Sequence, residues 1–562
     1  MRNAVWLGAA LILVGGQVQA QDAVVSTDNI SEHIRILADD SFLGRAPGTE
    51  GETKTLEYLT QQYSALGLEP GGDNGTWLQA VDLLSFLPAG APTISITAGG
   101  VSHAIDAAVL RLGTAQPTGL VSIQDAPLVF VGYGIHAPEL GWDDLAGADL
   151  TGKVVVYLNG EPDDQKDEGL FQGRLRTNYG RGGTKNAALL ARGAIGVIVL
   201  PATAPPPPPA APAAPSAPTA PVAPVAGAPA APAAPPAPRP SIRLASSAQQ
   251  LQFTGQMRGP AVVEGLKAIG LDLAALQAQA AAGPMSAMSL GDAAISIQAA
   301  WTVTPIKSYN FVARLPGTER PDETVLFSAH WDHLGVASTP DANGDSIYNG
   351  AWDNASGTAA LIEIARLFAA APRTERSIVF LSVTAEESGL LGSQWYAEHP
   401  IYPLATTAAN FNVDMIPMTG ETRDVEIIGY GKSTLEDDLV AALAQEGRTA
   451  IPDTHPEEGY YYRSDHVSFA EKGVPALNFD SGADLVEGGR EVGVAEQARL
   501  NELYYHTRAD HWRPDMNLGA ARQNLTLTYG LARDLANSDR WPQWKPGTDF
   551  EAIRAETADQ RR

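Results

Sequence analysis

Three times between residues 301 and 540 an apolar run of strand length stops on a carboxylate or an imidazole, and this recurrence constrains the fold more than any other feature. Residues 324–328 run into Ala329-His330-Trp331-Asp332-His333. Residues 377–383 end in Thr384-Ala385-Glu386-Glu387-Ser388-Gly389, and residues 410–413 end in Asp414-Met415. Between the first two, Gly350-Ala351-Trp352-Asp353-Asn354-Ala355-Ser356-Gly357 opens a helix whose apolar face is Leu361, Ile364, Ala365 and Phe368. Residues 474–479 read as a fourth strand. Strands alternating with helices predict an α/β fold. Ligands bind such open sheets at the carboxyl ends of the strands. His330, Asp353, Glu386, Glu387 and Asp414 therefore aim at one rim, and Tyr505-His506-Thr507 offers a second imidazole from far along the chain.

Such a cluster calls for a cation. Asp332, Asp353, Glu386, Glu387 and Asp414 cannot all ionise side by side in a cleft without strong counter-charge. The chain has no cysteine, so any ligand must be His, Asp or Glu. Carboxylates with two imidazoles and no sulfur fit a hydrolytic zinc pair, and a carboxylate bridging both ions would hold them close. Taken alone, each residue has a plainer explanation. His330 could be a satisfied structural histidine, Asp353 a helix N-cap, and Glu386-Glu387 first-turn acids favoured by the helix dipole. Their joint occurrence, in order and on strand ends, decides for the metal.

The remainder of the 562 residues needs more than one core. The formal net charge of −26 would repel a polyanion and argues against a nucleic-acid partner. Residues 1–20 read as an export signal: Arg2, an apolar stretch over 4–16, and the small-x-small site Val18-Gln19-Ala20, with the mature chain starting at Gln21 and an uncleaved anchor as the alternative. No later segment has the uninterrupted apolar length of a membrane helix, so no stable membrane insertion is expected after cleavage. Export without disulfides suits a bacterial periplasm or the medium. Residues 21–85 carry two helix patterns, over 30–37 and at Leu56, Leu59, Tyr63 and Leu66, with Gly67 at the second one's C-cap position. Residues 86–300 hold strand-like runs at 127–131, 153–158 and 193–200, a helix over 185–191, and predict a small, mostly β domain. The Pro/Ala-rich residues 201–240 cannot pack and predict an extended or disordered spacer. Residues 301–540 form the metal-bearing domain, and 541–562 read as a polar, fraying tail.

The blocks His330-x-Asp332, Gly350-x-x-Asp353-Asn354-x-Ser356-Gly357, Glu386-Glu387-x-Gly389-Leu390-x-Gly392-Ser393, Asp414-Met415, Ser464-Asp465-His466 and His506-Thr507-x-x-Asp510 resemble the co-catalytic zinc aminopeptidases. That superfamily also contains glutamate carboxypeptidase, the transferrin receptor and glutaminyl cyclase. The resemblance spans most of 300–530. Gly44-Arg45-Ala46-Pro47-Gly48-Thr49 is similar to the same enzymes' N-terminal portion, and Trp142-Asp143-Asp144-Leu145 with Gly152-Lys153-Val154-Val155 to the protease-associated domain inserted in many members.

The resemblance implies a three-layer α/β/α zinc-exopeptidase domain with a mixed, mostly parallel sheet, an inserted protease-associated domain and two Zn2+ per chain. It implies that His330 and Asp414 complete one zinc site, Glu387 and His506 the other, and Asp353 bridges them. It further implies Asp332 hydrogen-bonded to the far nitrogen of His330, Glu386 as general base, a cis peptide after Asp353, and substrate contact from Arg463. A tyrosine near Tyr460-Tyr461-Tyr462 is a candidate oxyanion donor. His511 departs from the commonest family pattern. The activity implied is an aminopeptidase acting on peptides. The alternatives are a carboxypeptidase for acidic C-termini, which needs a basic pocket such as residues 174–181 could supply, a one-zinc glutaminyl cyclase-like transferase, and a binding module, in which the ligands would be degraded. None of these features encodes an oligomeric state or a side-chain preference.

Overall fold

The computed structural model describes residues 24–163, 166, 168–202, 240–245, 250–259 and 261–561. The signal expected over 1–20, and the Pro/Ala-rich segment apart from its ends, lie outside the described residues. Helices α1 (Thr27–Leu37) and α2 (Glu50–Ala65) come first, then strand β1 (Leu78–Pro88). The Ser26 hydroxyl caps α1 by accepting from the Asn29 N–H at 3.2 Å. Gly67, at φ +76°, follows the end of α2 in the left-handed conformation expected there. Next come β2 (Leu120–Phe130), β3 (Val154–Leu158), α3 (Gly182–Leu190), β4 (Gly196–Leu200), β5 (Phe253–Met257), α4 (Ala261–Ala268) and α5 (Leu273–Ala281). The long β6 (Met288–Leu315) leads back to the alternation of β7 (Arg320–His330), α6 (Ser356–Ala370), β8 (Arg376–Val383), α7 (Leu391–Glu398) and β9 (Thr407–Asn412). Then follow β10 (Asp424–Ile427), α8 (Leu435–Gln445), α9 (His466–Ala470), β11 (Ala476–Leu477), β12 (Phe479–Ser481), α10 (Gly489–Tyr504), α11 (Gly519–Ala536) and α12 (Glu551–Glu556).

The main sheet has the order β11-β9-β7-β8-β6, with β1 beyond β6. The pairs β11-β9, β9-β7 and β7-β8 are parallel, whereas β6 is antiparallel to β8 and β1. This is the mixed, mostly parallel sheet the alternation predicts, and all eight residues of β8 are buried because both of its faces are covered. Side-chain alternation sorts the layers. Phe311, Ala313, Val325, Phe327, Ile378 and Phe380 pack under α1, α2, α6 and α11. Their neighbours Val312, Leu326, Val379 and Leu381 pack on the opposite face against Tyr396 of α7 and Phe469 of α9. Phe327 stacks between Phe380 and Phe411 at 5.2 and 5.5 Å, a position where truncation to alanine costs about 3–5 kcal/mol.

The first half of β6 pairs instead, antiparallel, with β2; β2, β3, β4 and β5 then run parallel to one another, and Leu110–Gly113 closes the sheet antiparallel to β5. This second sheet has its own core, which includes Phe130, Val156, Ile198, Phe253 and Ile295.

Two readings change. Residues 474–479 do not form one strand: β11 joins the main sheet, while β12 turns away to pair antiparallel with β10. The described part of the tail, 541–561, does not fray. Three large apolar side chains sit among its polar residues: Trp544 and Phe550 pack with Tyr461 and Val467, and Trp541 lies under the Arg376 guanidinium at 4.6 Å. Arg554 of α12 is buried and donates to the Thr407 carbonyl at 3.1 Å.

Candidate metal centre

His330 is the last residue of β7, paired with Val383 at the end of β8, so the two strands deliver His330 and the Glu386-Glu387 turn to the same rim. Asp353 lies in an irregular turn just before α6, and its peptide bond to Asn354 is cis, as the resemblance implies. Asn354 ties this turn to the loop after β9. Its Oδ1 accepts from Gly357 N at 2.7 Å and Met415 N at 3.1 Å, and its Nδ2 donates to the Val413 carbonyl at 3.2 Å. A Cβ on Gly357 would collide with both Val413 O and Asn354, which accounts for glycine in the Asn-x-Ser-Gly block. From the far side, Asp510 accepts from Trp352 N at 2.9 Å and Asp353 N at 3.1 Å.

These supports bring all five expected ligands together. His330 Nε2 lies 3.1 Å from Asp414 Oδ1 and 3.3 Å from Asp353 Oδ1. His506 Nε2 lies 2.9 Å from Asp353 Oδ2 and 3.2 Å from Glu387 Oε2. Asp353 thus presents one oxygen to each imidazole. Glu386 Oε2 is 3.8 Å from His330 Nε2. His330 is 1% exposed and His506 38%, so the cluster runs from the sheet's interior to solvent.

The electrostatics describe a site short of positive charge. Burial pushes Asp332 up to about 8 and drives Glu386 well above the carboxylate range, the latter with repulsion from Asp414, Asp465 and Glu387 added. Burial alone would lower His330, but Glu386, Asp414 and Asp353 outweigh it and hold its imidazole far above the ordinary value. Asp353 is buried too, yet its bonds to His330 and His506 keep it ionised. Two sets of ligand atoms, His330-Asp353-Asp414 and His333-Asp353-Glu387, each fall within 4.8 Å of one another. Nitrogen and oxygen donors so packed are of the kind that could hold a divalent cation.

Three expectations are corrected or extended. The Asp332 carboxylate does not bond the far nitrogen of His330: it stands 3.8 Å off, and the Asp332 backbone carbonyl takes that place at 3.1 Å. The carboxylate instead accepts from the Glu386 N–H at 3.0 Å, because the β7 turn folds its side chain towards the β8 turn. His333 escaped notice as a site residue, although its Nδ1 is 2.6 Å from Glu387 Oε1; its place in the His-Trp-Asp-His run was the available signal. In the tyrosine run, Tyr462 is bound to Asp549, Tyr461 is packed against Phe550 and Tyr460 is exposed. Outside the run, Tyr505 stacks on His506 with ring centroids 4.0 Å apart and accepts from Arg463 at 3.3 Å. Arg463 is exposed at the rim and lies over the Tyr460 ring. Of the basic stretch 174–181, Arg181 is paired with Glu471, so it is not open to an acidic substrate.

Residues 310–529 match the model of Peptidase family M28. Aminopeptidase YwaD of Bacillus subtilis (strain 168) is 30% identical over 199 residues, 35% of this chain and 37% of its own length. The probable lipoprotein aminopeptidase LpqL of Mycobacterium tuberculosis is 29% identical over 209 residues, 34% of this chain and 37% of its own. The chain therefore spans little more than a third of these relatives. The solved aminopeptidase from Aneurinibacillus sp. strain AM-1 aligns over 93% of this chain and 95% of its own, at 19% identity and a TM-score of 0.46. The stretch that matches the Peptidase family M28 model, residues 310–529, carries every candidate ligand named above.

Proposed function

We propose that the protein is an exported, zinc-dependent aminopeptidase that removes N-terminal residues from peptides with two Zn2+ per chain. The observation that carries this reading is the division of the two Asp353 oxygens between His330 and His506, with Glu386 beside the first. His330 and Asp414 would hold one zinc, Glu387 and His506 the other, with Asp353 available to both. The zinc pair, when bound, supplies Lewis acidity to the scissile carbonyl and the attacking water. Glu386 accepts the water's proton and returns it to the leaving amine. Asp332 holds the Glu386 backbone through its N–H and so fixes the base's position. Tyr505, on His506 and beside Arg463, is placed to donate to the oxyanion, and Arg463 contacts the substrate. Names of relatives that include zinc metalloproteases and aminopeptidases support the metal and the reaction class.

The same reading divides the chain into a signal over 1–20, a peptidase domain from 21–85 and 301–540, a protease-associated insertion over 86–300 and a closing segment over 541–562. No helix among the described residues is long and apolar enough to cross a membrane.

The test is hydrolysis of aminoacyl-anilides by the purified protein, with metal analysis on the same sample. Two zinc per chain and turnover abolished by chelation are expected. Glu386→Gln should keep both metals and lose about 10²–10⁴-fold in kcat; near wild-type turnover would overturn the general-base role. Hydrolysis of N-blocked dipeptides in preference to C-blocked ones would replace the aminopeptidase reading by a carboxypeptidase.

A further inference from the structure

The Gly44-Arg45 pair lies far from the ligand blocks in sequence, yet Arg45 sits directly behind them. It is 1% exposed. Among the described residues its hydrogen-bond partners are four backbone carbonyls. Nε donates to Trp331 O at 2.9 Å, Nη1 to Leu37 O at 2.8 Å and Asn349 O at 2.6 Å, and Nη2 to Gly350 O at 2.8 Å. Trp331 lies between His330 and Asp332, and Asn349-Gly350 begins the turn that ends in Asp353. The Arg45 carbonyl in turn accepts from His333 N at 3.4 Å. One planar guanidinium thus spans α1 and both ligand turns, a geometry that a lysine ammonium cannot reproduce.

The local backbone is shaped for this. Arg45 itself has φ +49°, a left-handed value that strains a non-glycine residue. Gly44, at φ +63°, has no room for a Cβ, which would run into the Tyr348 and Gly335 carbonyls, so the turn is pressed onto the loop leading to Asp353. Burial pulls the guanidinium down to about 10, opposed by Asp510, Asp353, Asp332 and Glu387, and it stays charged at neutral pH.

We infer that Arg45 is the positioning residue of the metal centre: its guanidinium clamps the His330-Asp332 turn to the Asp353 turn, and so sets the spacing of His330 and Asp353. The short antiparallel pairing of Gly335-Val336 with Ile347-Tyr348 joins the segments beside these turns, and the clamp joins the turns themselves. This inference rests on the two-zinc reading above.

Arg45→Lys tests it, because the charge is kept and only the fork is lost. Zinc affinity is measured by competition with a chromophoric chelator, alongside the visible spectrum of the Co(II)-substituted protein, the melting midpoint, and kcat and KM separately. The expected result is a loss of about tenfold in zinc affinity, the scale for residues that orient ligands, with a changed Co(II) spectrum and a lower kcat at near wild-type KM. A merely structural arginine would lower the melting midpoint and leave the affinity and spectrum of the folded protein as in wild type; affinity within twofold and an unchanged spectrum overturn the inference. Arg45→Gln goes through the same titration, and failure of both variants to fold also overturns it, since the arginine would then serve the fold and not the ligand turns. The wild type separates the two claims. Two bound zinc without peptide hydrolysis defeats the aminopeptidase reading and leaves the Arg45 measurement standing, whereas no zinc in the wild type defeats both.

Discussion

The charged residues at the rim of the main sheet and those around Lys432 are both buried, and the two clusters are built on opposite principles. At the rim of the main sheet, Asp332, Asp353, Glu386, Glu387 and Asp414 crowd around imidazoles that cannot serve them all as donors. Around Lys432 the carboxylates are satisfied from within the chain. Glu436 accepts from the backbone N–H groups of Gly431, Lys432 and Ser433 at 2.6–2.9 Å. Glu161 accepts from Thr177, and Asp549 from Tyr462 at 3.0 Å and Asn178 N at 2.7 Å. Lys432 Nζ, within 3.3 Å of Tyr462 Oη, supplies the counter-charge. The difference teaches what marks a metal centre. A concentration of acids is not enough; the mark is a set of acids whose partners within the chain run out.

The strongest way to break this comparison is Asp353→Asn. It removes the carboxylate that both imidazoles share, so zinc content should fall below two per chain and turnover by more than about 10³-fold, comparable to loss of an essential catalytic group. Wild-type zinc content would mean that the rim does not depend on a shared ligand. Lys432→Met attacks the other cluster. It removes the cation beside Asp549 and should destabilise the fold by about 3–5 kcal/mol in denaturant unfolding, with zinc stoichiometry unchanged. Loss of zinc in that variant would show that the two clusters are coupled.

A smaller effect sharpens the picture. Burial raises Glu161 from 4.5 to about 7, with Lys185 lowering it and Asp549 raising it further. The folded protein then holds a proton that the unfolded chain has released between those values. The stability associated with this group is therefore complete below pH 4.5 and is lost as pH rises through about 7, by up to about 3 kcal/mol. Glu161→Gln should flatten the unfolding midpoint against pH by one proton over that window. An unchanged slope would mean that Glu161 ionises freely where it lies.

Much of the main sheet was legible because its signals are local. Strands β7, β8 and β9 are apolar runs bounded by turn residues, and α6 announces itself by Leu361, Ile364, Ala365 and Phe368. The candidate ligands His330, Glu387 and Asp414 were legible for the same reason, each following a strand-length run, whereas Asp353 precedes a helix and His506 follows one. Asp332 was misjudged because its partner depends on which way one turn folds over another. The stacking of Tyr505 on His506, and the bond of Tyr462 to Asp549 near the chain's end, are tertiary properties that no local pattern encodes.

Sequence alone determined which residues could bind a cation and which strand ends would carry them, because side-chain chemistry and hydrophobic periodicity act over a few residues. Tertiary structure decided the remainder. It put the His333 imidazole against Glu387, gave the two Asp353 oxygens to different histidines, set Arg45 across turns some 300 positions away, and docked the tail through Trp544 and Phe550. Each of these depends on the direction of a side chain after distant segments have packed, and such directions follow from the closed fold as a whole.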